Sequence, residues 1–523
     1  MLVTKSTTRA VALGLGIAVA ATLTGCAAGD SNSAGTDTLV IDRTFDLKTV
    51  DPGRTYEHTG NMVVKGMYET LLDFEGSDLS HTVPGLATLE ESDDASTFTL
   101  TLDEGRVFSD GSEITADDVV FSFERVMGMN ASPAFLLEGV SIAKVDEKTV
   151  EITTETPNPA LPFILPNPAL AILNSDVVKE NGGTTDESDK AEAFLNTNSA
   201  GSGPYVLESA DIATQVTFTL NEKYNGPAKP SYERVMLRNV EPATQKINLQ
   251  GGDSAVALDL SGDQISGFGD DISVTSGPSA NLIFLLLNQN PEVSKVTSDP
   301  NFVKAVKSAI NYESLLEIAG AGSVRGFGFV PPMLLGSMDT GLTFDAAEAK
   351  KALDASGYAG ETVTLNFPND INLNGVQFTT VAERVQSELA AAGITVELAP
   401  APTAVELDTY RDGKEVIGLW YWGPDYMDPS SYLPFGPGET VGLRAGWPAG
   451  SNPEIEALMD EARAGGSESE RVDQFTKFQN LLLEDGPFIP LLNPAVNLAS
   501  ISSVTGLEYN PIWTVDIAAL GSK

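Results

Sequence analysis

Hydrophobic positions along the chain switch repeatedly between a spacing of two and a spacing near 3.6, the pattern of a mixed α/β protein. Phe98, Leu100 and Leu102 alternate with threonines, as do Val216, Phe218 and Leu220. Both stretches predict half-buried strands. In the second half, Val363, Leu365 and Phe367, then Ile394, Val396 and Leu398, repeat that signal. Helices with readable ends lie between them. Thr115 with Asp118 three residues later opens one that carries Val119, Phe123 and Val126 on one side. Asp299-Pro300 opens another, with Phe302, Val306 and Ala309 facing inward, because proline is tolerated at the first helical position. A third starts at Asp345, with Glu348 completing a capping box, and stops at Gly357. A fourth carries Val381, Val385 and Leu389 and stops at Gly393. Glycine-rich joints at Gly201-Ser202-Gly203-Pro204-Tyr205 and around Gly277-Pro278 are candidate crossings between lobes.

The N-terminus follows a different logic. Lys5 and Arg9 precede an uncharged apolar run from Val11 to Leu23, about 13 residues long, and Leu23-Thr24-Gly25-Cys26 comes next. The run falls short of the roughly 20 residues that span a bilayer as a helix, so residues 1–25 read as an export signal. Cys26 is the only cysteine, so an internal disulfide is excluded. Its place after Leu-Thr-Gly resembles the lipobox of bacterial lipoproteins, which implies that Cys26 is lipidated and becomes the mature N-terminus. The alternative is a small residue near an ordinary cleavage site. Residues 26–38 are almost all small or polar and bury too little apolar surface to order themselves, which predicts a lipid-anchored flexible tether.

Charge narrows the partners. The chain carries 31 basic and 73 acidic residues, a net −42, and loses two cations with residues 1–25. A surface of that sign repels nucleic acid and anionic headgroups, leaving the lipid anchor as the only membrane contact. Catalytic chemistry is scarce as well. The two histidines, His58 and His81, give little scope for a zinc site or a Ser-His-Asp triad. A Gly-x-Ser-x-Gly elbow, a Gly-Lys-Ser/Thr phosphate loop and a Gly-x-Gly-x-x-Gly turn are all missing. Neither a cofactor nor a resident metal is expected, and the protein reads as a binder and not an enzyme. A glycosidase would need two opposed carboxylates about 5 to 10 Å apart in a cleft.

Several stretches together resemble the family 5 extracellular solute-binding proteins, the peptide, nickel and sugar receptors of ABC importers. Phe108 to Val126 (Phe-Ser-Asp-Gly-Ser-Glu-Ile-Thr-Ala-Asp-Asp-Val-Val-Phe-Ser-Phe-Glu-Arg-Val) is similar to that family's signature nearly position for position. Val50-Asp51-Pro52, Met67 to Leu71, Val83 to Ala87, Gly203-Pro204-Tyr205, Tyr224-Asn225-Gly226, Val306 to Tyr312, Trp422 to Pro429 and Phe488 to Leu491 continue the likeness. The family's usual tryptophan after the Leu-Ala segment is replaced by Leu89 or a neighbour. The resemblance implies a large, type II, two-lobed periplasmic-binding-protein-like α/β fold with an extra α/β domain inserted in the first lobe. On this chain, residues 39–78, 200–278 and 493–523 would form lobe I, 79–199 the inserted domain and 279–492 lobe II.

By the same resemblance, the chain would be a monomeric receptor that captures a small solute, a short peptide, and delivers it to ABC permease and ATPase subunits. It would sit on the outer face of the cytoplasmic membrane, or in the periplasm if an outer membrane exists. A nickel or metallophore receptor using His58, or an oligosaccharide receptor using stacked aromatics, are the alternatives within the family. An aspartate in a matching Trp-x-x-Asp position receives the ligand's α-ammonium in peptide-binding members, and here it falls on Asp425. Trp420, Tyr421, Trp422, Gly423 and Tyr426 surround it. A buried carboxylate is costly alone, and a charge-assisted hydrogen bond to an ammonium offsets that cost. Asp425 capping a turn and Trp422 serving as core are the plainer readings, and Asp428-Pro429 reads as a turn. Tyr56, Glu57 and His58 would line the cleft, or else form an exposed loop. Arg325 and Arg444, which flank family-typical segments, are candidates for a ligand carboxylate, or ordinary surface arginines.

Overall fold

The computed structural model describes residues 38–523. The export signal, Cys26 and all of the tether except Thr38 lie outside the described residues. Thr38 already belongs to the first strand, Thr38–Arg43, and pairs with Arg234.

That strand sits near the middle of a seven-stranded sheet, ordered Ile272–Pro278, Ala495–Ile501, Val256–Ala257, Thr38–Arg43, Arg234–Asn239, Gln215–Leu220 and Tyr205–Asp211. A six-stranded sheet follows the order Val324–Arg325, Phe488–Asn493, Leu282–Leu287, Ile417–Trp422, Val363–Pro368 and Val396–Ala401. Leu282–Leu287 shows why this second sheet is interior. All six of its residues are buried, with Leu282, Phe284 and Leu286 entering one core and Ile283, Leu285 and Leu287 the other. A strand covered on both faces reads as an unbroken apolar run, and each side chain so buried stabilises by roughly 1.5 to 3 kcal/mol.

A third, antiparallel sheet of four strands, Ala87–Glu91, Thr97–Leu102, Thr149–Thr154 and Val140–Lys144, packs against the helix Ala116–Met129. Thr115 caps that helix, and the Asp118 carboxylate accepts from the Thr115 N–H at 3.0 Å, the reciprocal box its spacing predicts. Asp299 caps Pro300–Ala309, and Asp345 caps Ala346–Ala355. Glu348 does not complete a box at Asp345. It pairs with Lys304 at 2.7 Å and Lys351 at 3.2 Å, because two nearby ammonium groups outbid one backbone N–H. Two strand ends also shift: Ile394 is buried ahead of Val396–Ala401, and Leu220, the last residue of Gln215–Leu220, is exposed.

The chain passes between the seven- and six-stranded sheets twice, from Pro278 to Leu282 and from Asn493 to Ala495. The passes hold one another. Ser279 N–H donates to the Pro494 carbonyl at 2.8 Å, and Asn493 Nδ2 donates to the Asn281 carbonyl at 3.0 Å. Tyr432 Oη adds a bond to the Ala280 carbonyl at 3.2 Å.

Candidate functional site

Asp51 anchors the segment that leads into the site. Fully buried, it receives both terminal nitrogens of Arg125, at 2.8 and 2.6 Å, and Arg125 also donates to Asp189 at 2.8 and 2.9 Å. Burial pushes the Asp189 carboxyl up. Its hydrogen bonds and charge pairing with Arg125, helped by Thr184 and Arg54, prevail and hold it below the usual carboxylate range. This network pins the short turn Pro52–Arg54, after which Tyr56 projects and the helix His58–Met67 begins.

Tyr56 enters a cavity of about 180 Å³ lined also by His58, Asn61, Asn167, Ala280, Asn281, Tyr421, Gly423, Pro424, Asp425, Tyr509, Pro511 and Ile512. The walls come from helix His58–Met67, from the first pass between the sheets, from the end of strand Ile417–Trp422 and from the C-terminal segment. Among the described residues, Asp425 is the only acid on the wall, and none of them that line it is a lysine or arginine. Tyr56 Oη donates to Asp425 Oδ1 across the space. Burial pushes the Asp425 carboxyl above the usual range and the Tyr56 bond offsets only part of it. Burial, then the Asp425 charge and bond, push the Tyr56 phenol well up. The Tyr56→Phe substitution is expected to loosen this closure, and small-angle scattering of guest-free protein would read it as an increased radius of gyration. An unchanged radius would show the bond to be incidental.

The family model for bacterial extracellular solute-binding proteins, family 5 Middle, matches residues 81–440. The chain belongs to the family 5 extracellular solute-binding proteins. The probable D,D-dipeptide-binding periplasmic protein DdpA of Escherichia coli (strain K12) is 27% identical over 489 residues, covering 91% of this chain and 92% of that protein. Di/tripeptide-binding protein 2 of Pseudomonas aeruginosa (strain UCBPP-PA14) is 26% identical, covering 90% and 92%. The substrate-binding protein CtaP of Listeria monocytogenes superimposes with a TM-score of 0.80 at 20% identity, covering 93% of this chain and 99% of that one. DppA from Helicobacter pylori, in complex with peptide STSA, gives 0.73 at 20% identity over 93% and 98%. The fold is the two-lobed α/β fold of periplasmic binding proteins.

For a family 5 protein, the cavity gathers Tyr56, His58, Tyr421, Gly423 and Asp425 from the residues named by sequence. His58 is exposed toward this space. Burial within the protein mass, reinforced by the Arg43 charge, pushes its imidazole below the ordinary value against Asp46 and Asp259. The other candidates do not line it. Strand alternation sends Trp420 and Trp422 to the face opposite Tyr421. Trp420 stacks on Tyr410 with ring centroids 4.3 Å apart, and Trp422 Nε1 donates to the Ser431 carbonyl at 3.0 Å. Tyr426 packs toward the four-stranded sheet and faces a wider groove of about 660 Å³ between Glu138–Ala160 and the stretch ending at Arg463. That groove touches neither pass between the sheets, so the smaller cavity is the better candidate. Glu57 pairs with Lys48.

Neither named arginine faces the cavity. Arg325 lies over the rings of Tyr312 and Phe327, at 4.4 and 5.0 Å, and Arg444 over Tyr410 at 4.7 Å. Asp428 is structural: it caps Pro429–Phe435 and forms a buried ion pair with Arg471 at 2.7 Å. Sequence reasoning missed Asn61, Asn167, Asn281, Tyr509, Pro511 and Ile512. Asn61 alone had a signal, since three residues after His58 on a helix is the same face.

Behind Trp420 lies a buried carboxyl. Trp420 Nε1 donates to Glu415 at 2.8 and 3.0 Å, and the neighbouring Glu406 carboxyl adds to the upward push on it. Burial pushes Glu415 up to about 10, so it is a neutral acid at pH 7. Gly418 makes room for it, because a Cβ there would sit 2.0 Å from Glu415 Oε2. The folded value is raised above the unfolded one of about 4.3, so folding favours the protonated form. Stability from this group is full at acid pH and drains away as pH rises toward about 10. Glu415→Gln is expected to flatten that decline and to raise the melting temperature more at pH 8 than at pH 5. Equal shifts at both pH values would mean Glu415 ionises normally.

Proposed function

We propose that the protein is an exported receptor of an ABC importer that captures short peptides between its lobes, with Asp425 receiving the peptide's α-ammonium. The carrying observation is a single carboxylate held in a cavity walled by both sheets, paired with nothing more than a neutral phenol. An ammonium can replace that phenol with a stronger, charge-assisted bond. Guest contacts to both lobes favour the closed arrangement over the open one, which presents a distinct surface to a permease. The peptide named for DdpA, for di/tripeptide-binding protein 2 and for the Helicobacter complex supports this guest class.

On this reading, residues 39–78, 200–278 and 493–523 form lobe I, 79–199 an inserted domain and 279–492 lobe II. The sheet memberships and the paired passes at Pro278–Leu282 and Asn493–Ala495 support that division. The function is binding, with ATP hydrolysis left to partner subunits and Cys26 as the lipid anchor. Mass spectrometry of material copurifying with the protein, followed by calorimetric titration of L-alanyl-L-alanine and its N-acetyl derivative, tests the reading. Tight binding of the free peptide and weak binding of the acetylated one is expected. Equal affinities would remove the ammonium from the account.

A further inference from the structure

Among the described residues, Arg43, Arg106, Arg125 and Arg471 are the arginines more than nine-tenths buried. Three are neutralised: Arg106 by Glu69 at 2.5 Å, Arg125 by Asp51 and Asp189, and Arg471 by Asp428. Arg43, 6% exposed, differs. Its Nη1 reaches only Met62 Sδ at 3.7 Å and Thr514 Oγ1 at 3.4 Å, and its buried Nε has no partner. In a chain with 73 acids to 31 bases, a sequestered cation left without a carboxylate goes against the whole composition. A buried charge is costly unless paired, so its retention calls for a counter-charge from elsewhere.

Its position says where that counter-charge would come from. Arg43 ends the strand Thr38–Arg43 beside Met62 and Thr514, whose near neighbours Asn61 and Ile512 line the cavity. Its charge reaches His58 and Tyr509, both on the cavity wall, helping to lower each group's proton affinity. Asp46 is an acid within this field, but it is exposed and already accepts the Thr59 N–H at 2.9 Å. Asp259 accepts from Thr44 N–H at 2.5 Å and Gln245 at 2.9 Å. The wall itself holds another unpaired atom, Asn61 Oδ1, whose amide is oriented by Nδ2 donating to the Ile512 carbonyl at 3.0 Å.

We propose that Arg43 is the counter-charge for a negative group of the guest, so that the protein selects zwitterions, with the ammonium toward Asp425 and the carboxylate toward Arg43. The proposal rests on the peptide reading above. Arg43 stands one residue layer behind the cavity wall, where its field acts through protein and is little screened by water. It acts as a positioning and selecting charge.

The test titrates L-alanyl-L-alanine and its C-terminal amide into the full mature protein and into R43M and R43K. Wild type is expected to bind the free acid about tenfold or more tighter than the amide. R43M is expected to bind both alike, at the wild-type affinity for the amide, while R43K keeps the preference. Guest-free R43M should melt no lower than wild type, because an unpaired buried charge has gone. Should R43M not fold, R43Q carries the same comparison. Equal binding of acid and amide by wild type, or a preference that survives in R43M, overturns the proposal alone. Wild type binding neither probe overturns the peptide reading with it.

Discussion

Asp425→Asn is expected to weaken binding of L-alanyl-L-alanine about thirtyfold or more while leaving the circular dichroism spectrum unchanged. Removing one partner of a buried, hydrogen-bonded charge pair costs about 2 to 5 kcal/mol, and each 1.4 kcal/mol is a tenfold change. Asparagine has the same shape and keeps an acceptor for Tyr56, so the loss isolates the charge. The raised value of Asp425 adds a pH signature. Guest ammonium needs the ionised carboxylate, so wild-type affinity should fall on acidification sooner than for an ordinary aspartate. For guest-free protein the sign reverses. A carboxyl raised in the folded state favours folding in acid and costs stability as pH rises through that value, so Asp425→Asn should raise the neutral-pH melting temperature slightly. Unaltered affinity in calorimetry would remove Asp425 from the site.

Arg125→Met is expected to give the largest loss of stability, about 3 to 5 kcal/mol, because it strands two buried carboxylates, Asp51 and Asp189. Urea unfolding followed by fluorescence would read the loss as a lower midpoint. The effect should reach function as well, since Asp51 sets the turn that presents Tyr56. Affinity for the dipeptide should therefore fall even at urea-free, fully folded conditions. A midpoint within experimental error of wild type would mean that Asp51 and Asp189 find other partners.

Asp425 emerged from a local motif, and so did Tyr421 and Gly423 on either side of Trp422. The arginines did not. Arg325 and Arg444 flank family-typical segments, yet each rests on aromatic rings within the second half of the chain. Arg43 is not legible in the sequence, because one arginine at a strand end carries no pattern. Its distinction is that no carboxylate among the described residues bonds to it, which is a property of packing. Tyr509, Pro511 and Ile512 reach the cavity from the far end of the chain, and no spacing links them to Tyr56.

The sequence by itself determined the α/β class, the family, the helix starts at Thr115, Asp299 and Asp345, and the strands whose alternation is local. Those features depend on contacts between residues a few positions apart, which the order of side chains specifies directly. Only the tertiary structure decided which face of Ile417–Trp422 meets the cavity, and which buried charges are paired. Alternation tells that Trp420 and Trp422 share a side and Tyr421 the other, but which side meets the cavity is set by residues far off in the chain, Tyr56 at one end and Tyr509 near the other.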